Sequence, residues 1–212
     1  MQFLASSYEK TGNVLFDHMF GVTIEFRPSG LDMNAEAQAV SDTLRAAGNN
    51  PYFIPGGGSN EIGALGYVSS AQEIIQQIEG KKLDPKWIVV ATGSAGTQAG
   101  LVPGFHAHNC NIPVIGISVR QPHDVQVENV YRLAVKTAAL LTDRPLPRAN
   151  VLVDDSYVGP GYGVTNEGTI AATNMLASHE GILLDPVYSG KGMAGLIGRI
   201  QTGAIAEDGD VI

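Results

Sequence analysis

The stretch Ala91-Thr92-Gly93-Ser94-Ala95-Gly96-Thr97-Gln98-Ala99-Gly100 decides the fold. It follows the apolar run Trp87-Ile88-Val89-Val90, which is typical of a buried strand, and it leads into Leu101-Val102, which indicates a helix. Small residues at such a junction let backbone N–H groups converge on an anion, and the helix N-terminus adds a partial positive charge. Ser94 and Thr97 add hydroxyl groups. The stretch therefore predicts a loop that binds a phosphate group.

The spacing of this loop separates it from two better-known phosphate loops. It reads Gly-x-x-Gly-x-x-x-Gly, whereas dinucleotide-binding folds have Gly-x-Gly-x-x-Gly. No Gly-Lys-Ser or Gly-Lys-Thr follows it, so it is not a nucleoside-triphosphate loop. The alternative interpretation is a tight strand-to-helix turn that binds nothing.

Composition restricts the class of protein. The chain has 212 residues, of which 44% are hydrophobic and 16% charged, as expected for a soluble globular protein. Its formal charge of −8 disfavours binding to nucleic acid or to an anionic membrane. The lone Cys110 excludes an internal disulfide framework. No apolar run reaches membrane-spanning length, and Met1–Ser7 lacks the pattern of a secretion signal, so we expect a cytoplasmic protein.

Strand and helix patterns alternate along the chain. This order predicts an α/β fold in which a parallel sheet is wrapped by helices, with ligands at the carboxyl ends of its strands. The Gly-rich junctions at 56–58, 93–100 and 159–163 are expected at those ends. Strands are predicted at 22–26, 52–55, 87–91, 113–119 and 151–153, an extended segment at 181–184, and the start of another strand at the end of the sequence. Helices are predicted at 13–20, 34–47, 61–79, towards 104, 124–141, 167–179 and through 193–200.

Three residues are predicted to mark the ends of these helices. Asn34 is a plausible N-cap of the helix at 34–47, and Gly48 is expected to end that helix. Gly80 is expected to cap the helix at 61–79.

Two further clusters have ordinary structural interpretations. His106-Ala107-His108-Asn109-Cys110 contains three potential metal ligands, but no second ligand pair is evident at suitable spacing, so we favour a polar loop. Asp154 and Asp155 are adjacent on an extended segment and point to opposite faces. A turn or capping role therefore fits them better than a shared acid–base site.

Tyrosines and a lysine lie near the glycine-rich junctions. Tyr162 and Tyr188 can stack on a flat ring or transfer a proton, and the alternative is that each fills the edge of the core. Lys191 invites a Schiff-base role, since it lies in a chain with a phosphate loop. We favour the other interpretation, a lysine in the first turn of a helix whose amine reaches solvent.

Several blocks together make the sequence similar to one family. It resembles the pyridoxal-phosphate enzymes of the tryptophan-synthase-β-like fold (fold type II), in the branch of D-cysteine desulfhydrase, L-cysteate sulfo-lyase and 1-aminocyclopropane-1-carboxylate (ACC) deaminase. The order and spacing of the blocks match, and the resemblance covers essentially the whole chain. The blocks are 54–60 with 63–67, the phosphate loop at 92–100, 161–163 with 166–168, and 184–195.

The resemblance implies a cofactor, a reaction and site residues. Pyridoxal 5'-phosphate would be the cofactor, and Tyr162 and Tyr188 match the active-site tyrosines of the family. The implied reaction is β-elimination, which releases sulfite from cysteate or sulfide from cysteine and leaves pyruvate and ammonia. The substrate would be a small amino acid, with no nucleic acid or membrane partner. The residues implied to hold the cofactor phosphate are Gly93, Ser94, Ala95, Gly96 and Thr97.

Four features bear on the choice within the branch. The stretches 13–18 and 128–131 look most like L-cysteate sulfo-lyase. Ser189, a candidate contact for the substrate, stands where the deaminase carries a glutamate, which departs from the deaminase and fits the sulfur lyases. Arg120 is a candidate contact for a sulfonate or carboxylate, with a plain surface role as the alternative. We therefore expect a cysteate lyase, with D-cysteine desulfhydrase as the alternative.

One departure from the family concerns catalysis. The family's Schiff-base lysine lies in a Gly-Asn-Lys context followed by a Ser-Asn-His stretch, and neither is present here. A His-Thr-Gly-Gly loop near the cofactor ring is missing too. The chain thus resembles a fragment truncated at both ends, with a remnant of the smaller domain at 1–50 and the larger phosphate-binding domain, lacking its last strand, at 51–212.

Three functional outcomes remain open from the sequence. We expect a homodimer when the protein is full length, and little or no activity from this chain alone. A competing possibility is a non-catalytic module that binds another phosphorylated ligand. A complete short enzyme that uses Lys191 is the third, and we favour it least.

Overall fold

The computed structural model of the protein describes residues 11–206 and 209–212. The predictions for Met1–Ser7 and for a turn at Glu207-Asp208 lie outside these residues. The chain divides into two compact units between Phe53 and Ile54. The correspondence of 1–50 and 51–212 to the two domains of a longer enzyme stays a prediction.

The first unit contains helix α1 (Gly12–Met19) and helix α2 (Met33–Ala46). The N-cap of α2 is Asp32, whose carboxylate accepts from the N–H groups of Asn34 and Ala35, so the prediction of Asn34 as N-cap is wrong. A carboxylate just outside the helix reaches these two orphan N–H groups better than a side chain within it. Gly48, in the left-handed region at φ +84°, ends the helix as predicted.

The second unit, Ile54–Ile212, holds a parallel sheet with strand order β3-β2-β1-β4. Its elements follow the predicted alternation, which confirms the α/β class. The strands are β1 (Pro85–Thr92), β2 (Val114–Ser118), β3 (Leu152–Asp154) and β4 (Asp210–Val211). The helices are α3 (Glu61–Lys81), α4 (Gly96–Ala107), α5 (His123–Ala138), α6 (Glu167–Glu180) and α7 (Ser189–Gln201), with 3-10 turns at Gly56–Gly58 and Arg148–Asn150.

Helices cover both faces of this sheet. A Cβ on Gly116 of β2 would meet Gln98 of α4, and the next residue, Ile117, contacts Gly195 of α7. Since consecutive strand residues point to opposite faces, α4 and α7 lie on opposite sides. Helix α4 is buried along nearly its whole length, in a core shared with α5. The apolar strand patterns, lacking alternation, follow from this burial on both faces.

Three predicted extended segments do not form strands. Residues 22–26, 52–55 and 181–184 pair with none of the strands that the structure describes. An alternating or apolar pattern indicates only that a segment suits a sheet, whereas a strand also needs a partner for its N–H and C=O groups. Helix α3 also ends later than predicted, because Lys82 at φ +56° takes the left-handed position assigned to Gly80.

No helix of residues 11–206 and 209–212 is long and apolar enough to cross a membrane.

Candidate functional site

The predicted phosphate loop joins the carboxyl end of β1 to α4. Thr92 ends the strand, and its hydroxyl accepts a 3.0 Å hydrogen bond from the buried amide of Gln126. Ala95 then adopts φ +79°, and α4 begins at Gly96. Because alanine has no polar side chain to cap the helix, the first N–H groups of α4 are left for other acceptors. The geometry is that of an anion-binding helix N-terminus.

A second glycine-rich segment completes this loop. The Ser59 hydroxyl donates a 2.8 Å hydrogen bond to the Ser94 hydroxyl and accepts a 3.2 Å hydrogen bond from the Gly96 N–H. A Cβ on Gly57 would lie 2.5 Å from Ser94 Oγ, and one on Gly96 would lie 2.7 Å from Ser59 Oγ. Both glycines are therefore needed for the two hydroxyls to approach each other. We call Gly57, Ser59, Ser94 and Gly96 the serine cradle.

The residues around this cradle suit a phosphate group. Ser94 is exposed and Thr97 half-buried, so both hydroxyl groups can meet a ligand at the N-terminus of a buried helix. Such a site combines hydrogen-bond donors with the positive end of the helix dipole. All five residues assigned to the phosphate lie in this one turn between Thr92 and Gln98. Sequence patterns did not assign Ser59 to the phosphate site, although it directly follows the glycines at 56–58.

The two predicted tyrosines meet beside the loop. The hydroxyl groups of Tyr162 and Tyr188 are hydrogen-bonded, and the rings pack edge to face with centroids 5.8 Å apart. A Cβ on Gly93 would lie 3.4 Å from Tyr188 Cε1, so the pair adjoins the phosphate loop. Both rings remain partly exposed, at 48% for Tyr162 and 43% for Tyr188.

The environment of Tyr188 keeps its phenol protonated. Burial, then the hydrogen bond and charge of Tyr162 and the charge of Asp185, raise the pKa of Tyr188 to about 12. Arg120 acts in the opposite direction, and its guanidinium carbon lies 5.6 Å from the centroid of the Tyr162 ring. Arg120 is exposed, so the structure places a solvent-accessible cation beside the Tyr162 ring.

Ser189 lies next to Tyr188, and its hydrogen bonds with Asp185 stabilise the start of α7. Its hydroxyl donates to the Asp185 carboxylate at 2.5 Å and accepts from the Asp185 N–H at 2.8 Å. The same carboxylate accepts the N–H groups of Val187, Tyr188 and Ser189. Burial raises the pKa of Asp185, but these hydrogen bonds outweigh it and leave the pKa below its ordinary value. A contact between Ser189 and substrate stays a prediction.

Lys191 does not reach solvent, so the interpretation favoured from the sequence is wrong. Its side chain is fully buried, and its amine donates to the carbonyl groups of Val158 at 2.6 Å and Gly161 at 2.9 Å. Both acceptors lie in the loop that carries Tyr162. Helical periodicity alone does not show that a loop about 30 residues earlier in the chain folds over the first turn of α7.

The remaining polar clusters have structural roles. Asp154 pairs with Arg199 at 2.8 Å and accepts from the Ser156 N–H, while Asp155 accepts from the N–H of His123 at the start of α5. These are the predicted turn and capping roles. Among residues 11–206 and 209–212, no three His, Cys, Asp or Glu side chains are placed to hold a metal ion.

Comparison with known proteins identifies the family. The family of pyridoxal-phosphate dependent enzymes matches residues 4–212, which is nearly the entire sequence. The chain belongs to the family of pyridoxal-phosphate dependent enzymes. The serine cradle and the N-terminus of α4 are donor groups that fit the cofactor's phosphate, in agreement with this assignment.

Two solved structures have folds similar to that of this chain. An ACC deaminase homologue matches at TM-score 0.82 and 32% identity, over 94% of this chain and 60% of that protein. A hydrogen sulfide-producing enzyme from Fusobacterium nucleatum matches at TM-score 0.57 and 15% identity, over 94% of this chain and 63% of that enzyme, and supports the fold alone. The chain thus spans under two thirds of the length of both.

Proposed function

We propose that the chain is the phosphate-binding part of a pyridoxal-phosphate-dependent carbon–sulfur lyase that acts on L-cysteate. The observation that carries the proposal is the hydrogen-bonded Tyr162–Tyr188 pair, which lies against Gly93 of the phosphate loop and has the Arg120 guanidinium carbon 5.6 Å from its Tyr162 ring. The tyrosine pair thereby has the phosphate loop on one contact and a cation on another. This arrangement suits a small amino acid that carries a second negative charge.

The bound cofactor would supply an electron-withdrawing ring that stabilises negative charge at the substrate Cα. In the β-elimination, a general base takes the Cα proton, and the electron pair of the Cα–H bond forms the Cα–Cβ double bond. The Cβ–S bond breaks as sulfite departs with the bonding pair, and hydrolysis then gives pyruvate and ammonia. The chain's own residues bind the cofactor phosphate and orient the departing group.

Tyr188 suits the role of hydrogen-bond donor to the departing group. With a pKa raised to about 12, its phenol keeps its proton at neutral pH. A neutral phenol can donate to an oxyanion but cannot act as a strong base there. When the Tyr162 hydroxyl is the donor in the hydrogen bond between the two phenols, the Tyr188 O–H is free to donate to the departing group.

Arg120 favours cysteate over D-cysteine. The sulfonate of cysteate carries a permanent negative charge, whereas a cysteine thiol is mostly neutral at pH 7. A guanidinium group pairs well with the oxygen atoms of an oxyanion. D-Cysteine desulfhydrase activity, with release of sulfide, is the alternative.

A non-catalytic phosphate-binding module is the second alternative. The sequence lacks the Gly-Asn-Lys context of the family's lysine, and the amine of Lys191 is directed at two carbonyl groups. We therefore propose that this chain, taken alone, is inactive or nearly so. Reduction with borohydride after addition of pyridoxal phosphate, followed by peptide mapping, would contradict this if the label lay on Lys191.

The experiment that tests the substrate uses a longer version of the protein that contains the family's lysine. It is given L-cysteate and D-cysteine, and the released sulfite and sulfide are measured. The proposal predicts sulfite from L-cysteate and a large rise in KM for Arg120→Gln, with the exposed Arg132→Gln as control. Sulfide from D-cysteine as the main product would favour the alternative, and release of neither would favour the non-catalytic module.

A further inference from the structure

Lys191 is the largest fully buried side chain in the described part of the chain. It lies in the first turn of α7, three residues after Tyr188, and none of the ion pairs among the described residues includes it. Its amine contacts only neutral acceptors, the carbonyl groups of Val158 and Gly161. Burial of an ammonium group without a carboxylate partner lowers the stability of a fold, so stability alone does not explain Lys191.

The two acceptors belong to a glycine-rich loop that has few backbone hydrogen bonds. Residues 157–163 connect β3 to α6, and Gly159, Gly161 and Gly163 have φ values of +69°, +156° and +72°. Glycines in these conformations leave an unsupported backbone many alternatives. Apart from the two hydrogen bonds of Lys191, the loop has a backbone hydrogen bond at each end. The Val158 N–H donates to the Asp155 carbonyl and the Val164 N–H to the Gly161 carbonyl, both at 3.2 Å.

The same loop carries Tyr162. The ammonium group therefore joins the loop of one tyrosine to the helix that begins directly after the other. Hydrogen bonds from a charged donor are stronger than those between neutral groups, so two of them can fix a glycine-rich loop.

We propose that Lys191 is a positioning residue whose ammonium group fixes the 157–163 loop so that the Tyr162 hydroxyl meets the Tyr188 hydroxyl. A role of this contact in catalysis rests on the proposed function, whereas the contact itself is independent of that function. Lys191 takes no part in bond making, because its amine is buried and already donates to two carbonyl groups.

Hydrogen exchange of individual amides, measured by NMR on the 212-residue chain, tests the proposal. In Lys191→Met the amides of Val158 and Val164 should exchange about tenfold faster or more, because two charge-assisted bonds are lost. The amide of Ile117 in β2 should exchange at its original rate. Lys136→Met, at an exposed position of α5, should change none of the three.

A pair of chemical variants separates the ammonium group from the bulk of the side chain. In a Cys110→Ser background, Lys191→Cys is alkylated while unfolded with either 2-bromoethylamine or 1-iodopropane and then refolded. The two side chains have equal length, but only the first carries an ammonium group. Slow exchange at Val158 and Val164 should return with the first and not with the second, and this comparison remains available if Lys191→Met fails to fold.

Two results would overturn the proposal. Equal exchange rates for the two alkylated forms would show that bulk, and not the ammonium group, fixes the loop. An equal acceleration at Ile117 in Lys191→Met would show a role in global stability only.

Binding of pyridoxine 5'-phosphate, measured in parallel, keeps the two proposals distinct. It should bind Lys191→Met as tightly as the unmodified chain, since the serine cradle does not involve Lys191. If the unmodified chain fails to bind it, the proposed function fails, and the exchange rates still decide the role of Lys191.

Discussion

Ser59 Oγ accepts a 3.2 Å hydrogen bond from the Gly96 N–H, although the two residues are 37 positions apart in the chain. The same hydroxyl donates to Ser94 at 2.8 Å. This relationship makes the segment before α3 part of the phosphate site at the start of α4. Phosphate binding should therefore respond to changes in either segment.

Replacement of Ser59 tests this dependence. Ser59→Ala removes both hydrogen bonds, so we expect the free energy of unfolding to fall by about 1 kcal/mol. Affinity for pyridoxine 5'-phosphate should fall about fivefold, because Ser94 loses its partner. Urea denaturation and calorimetric titration measure the two effects. Ser69→Ala, at an exposed position of α3, is the control, and equal behaviour of the two variants would contradict the prediction.

A methyl group at Gly96 should damage the cradle sterically. In Gly96→Ala the new Cβ would lie 2.7 Å from Ser59 Oγ, so the hydroxyl must move away from its partners. We expect at least a tenfold loss of affinity for pyridoxine 5'-phosphate.

The matched control for Gly96→Ala is Gly66→Ala within α3, where a Cβ meets nothing within 4 Å. That change should leave affinity unchanged and raise stability by about 0.5–1 kcal/mol, since alanine is the better helix former. Unchanged affinity in Gly96→Ala would refute the steric argument.

Tyr188 should make the free energy of unfolding fall as the pH becomes alkaline. Its pKa is raised from 10.0 in the unfolded chain to about 12 in the folded protein, so its contribution is complete below pH 10 and is lost as pH rises towards 12. Tyr188→Phe should therefore show a shallower decline of unfolding free energy over that interval. Tyr162→Phe should also reduce the slope, because it removes a hydrogen bond that raises the Tyr188 pKa.

Urea denaturation at several pH values measures these slopes. Tyr52→Phe is the control, since Tyr52 is 74% exposed, and it should retain the original slope. A Tyr188→Phe slope equal to that of the unmodified chain would show that Tyr188 titrates normally.

The close packing of α7 on the sheet gives a prediction for stability. A Cβ in Gly195→Ala would lie 2.6 Å from Ile117 Cδ1 and Cγ1, in a buried contact. We expect a loss of about 1–3 kcal/mol in unfolding free energy. Gly80→Ala, where no atom lies within 4 Å, should not destabilise the protein, and equal losses would contradict the packing argument.

Local sequence patterns predicted the elements that carry the site. The apolar run that became β2 is buried at every position and the one that became β1 is buried or half-buried, and the small residues from Gly93 to Gly100 form the turn and helix expected of them. These features are encoded within about ten residues each, so periodicity and composition suffice to find them.

Features that depend on distant partners were not predictable from periodicity. Residues 22–26 and 52–55 have strand patterns without a strand partner in the described part of the chain. Lys191 is polar and lies near a helix start, yet a loop 30 residues earlier covers it. The contact between Ser59 and Gly96 is likewise tertiary, and single-sequence patterns carry no such pairing.

The central claim is that the serine cradle and the N-terminus of α4 bind the phosphate of the pyridoxal cofactor. Calorimetric titration of the chain with pyridoxine 5'-phosphate and with pyridoxine tests it most directly, since neither ligand has an aldehyde that could react with surface lysines. We predict that the phosphorylated ligand binds at least about tenfold more tightly and that Gly96→Ala abolishes the difference. Equal affinity for the two ligands, or an unchanged difference in Gly96→Ala, would contradict the claim.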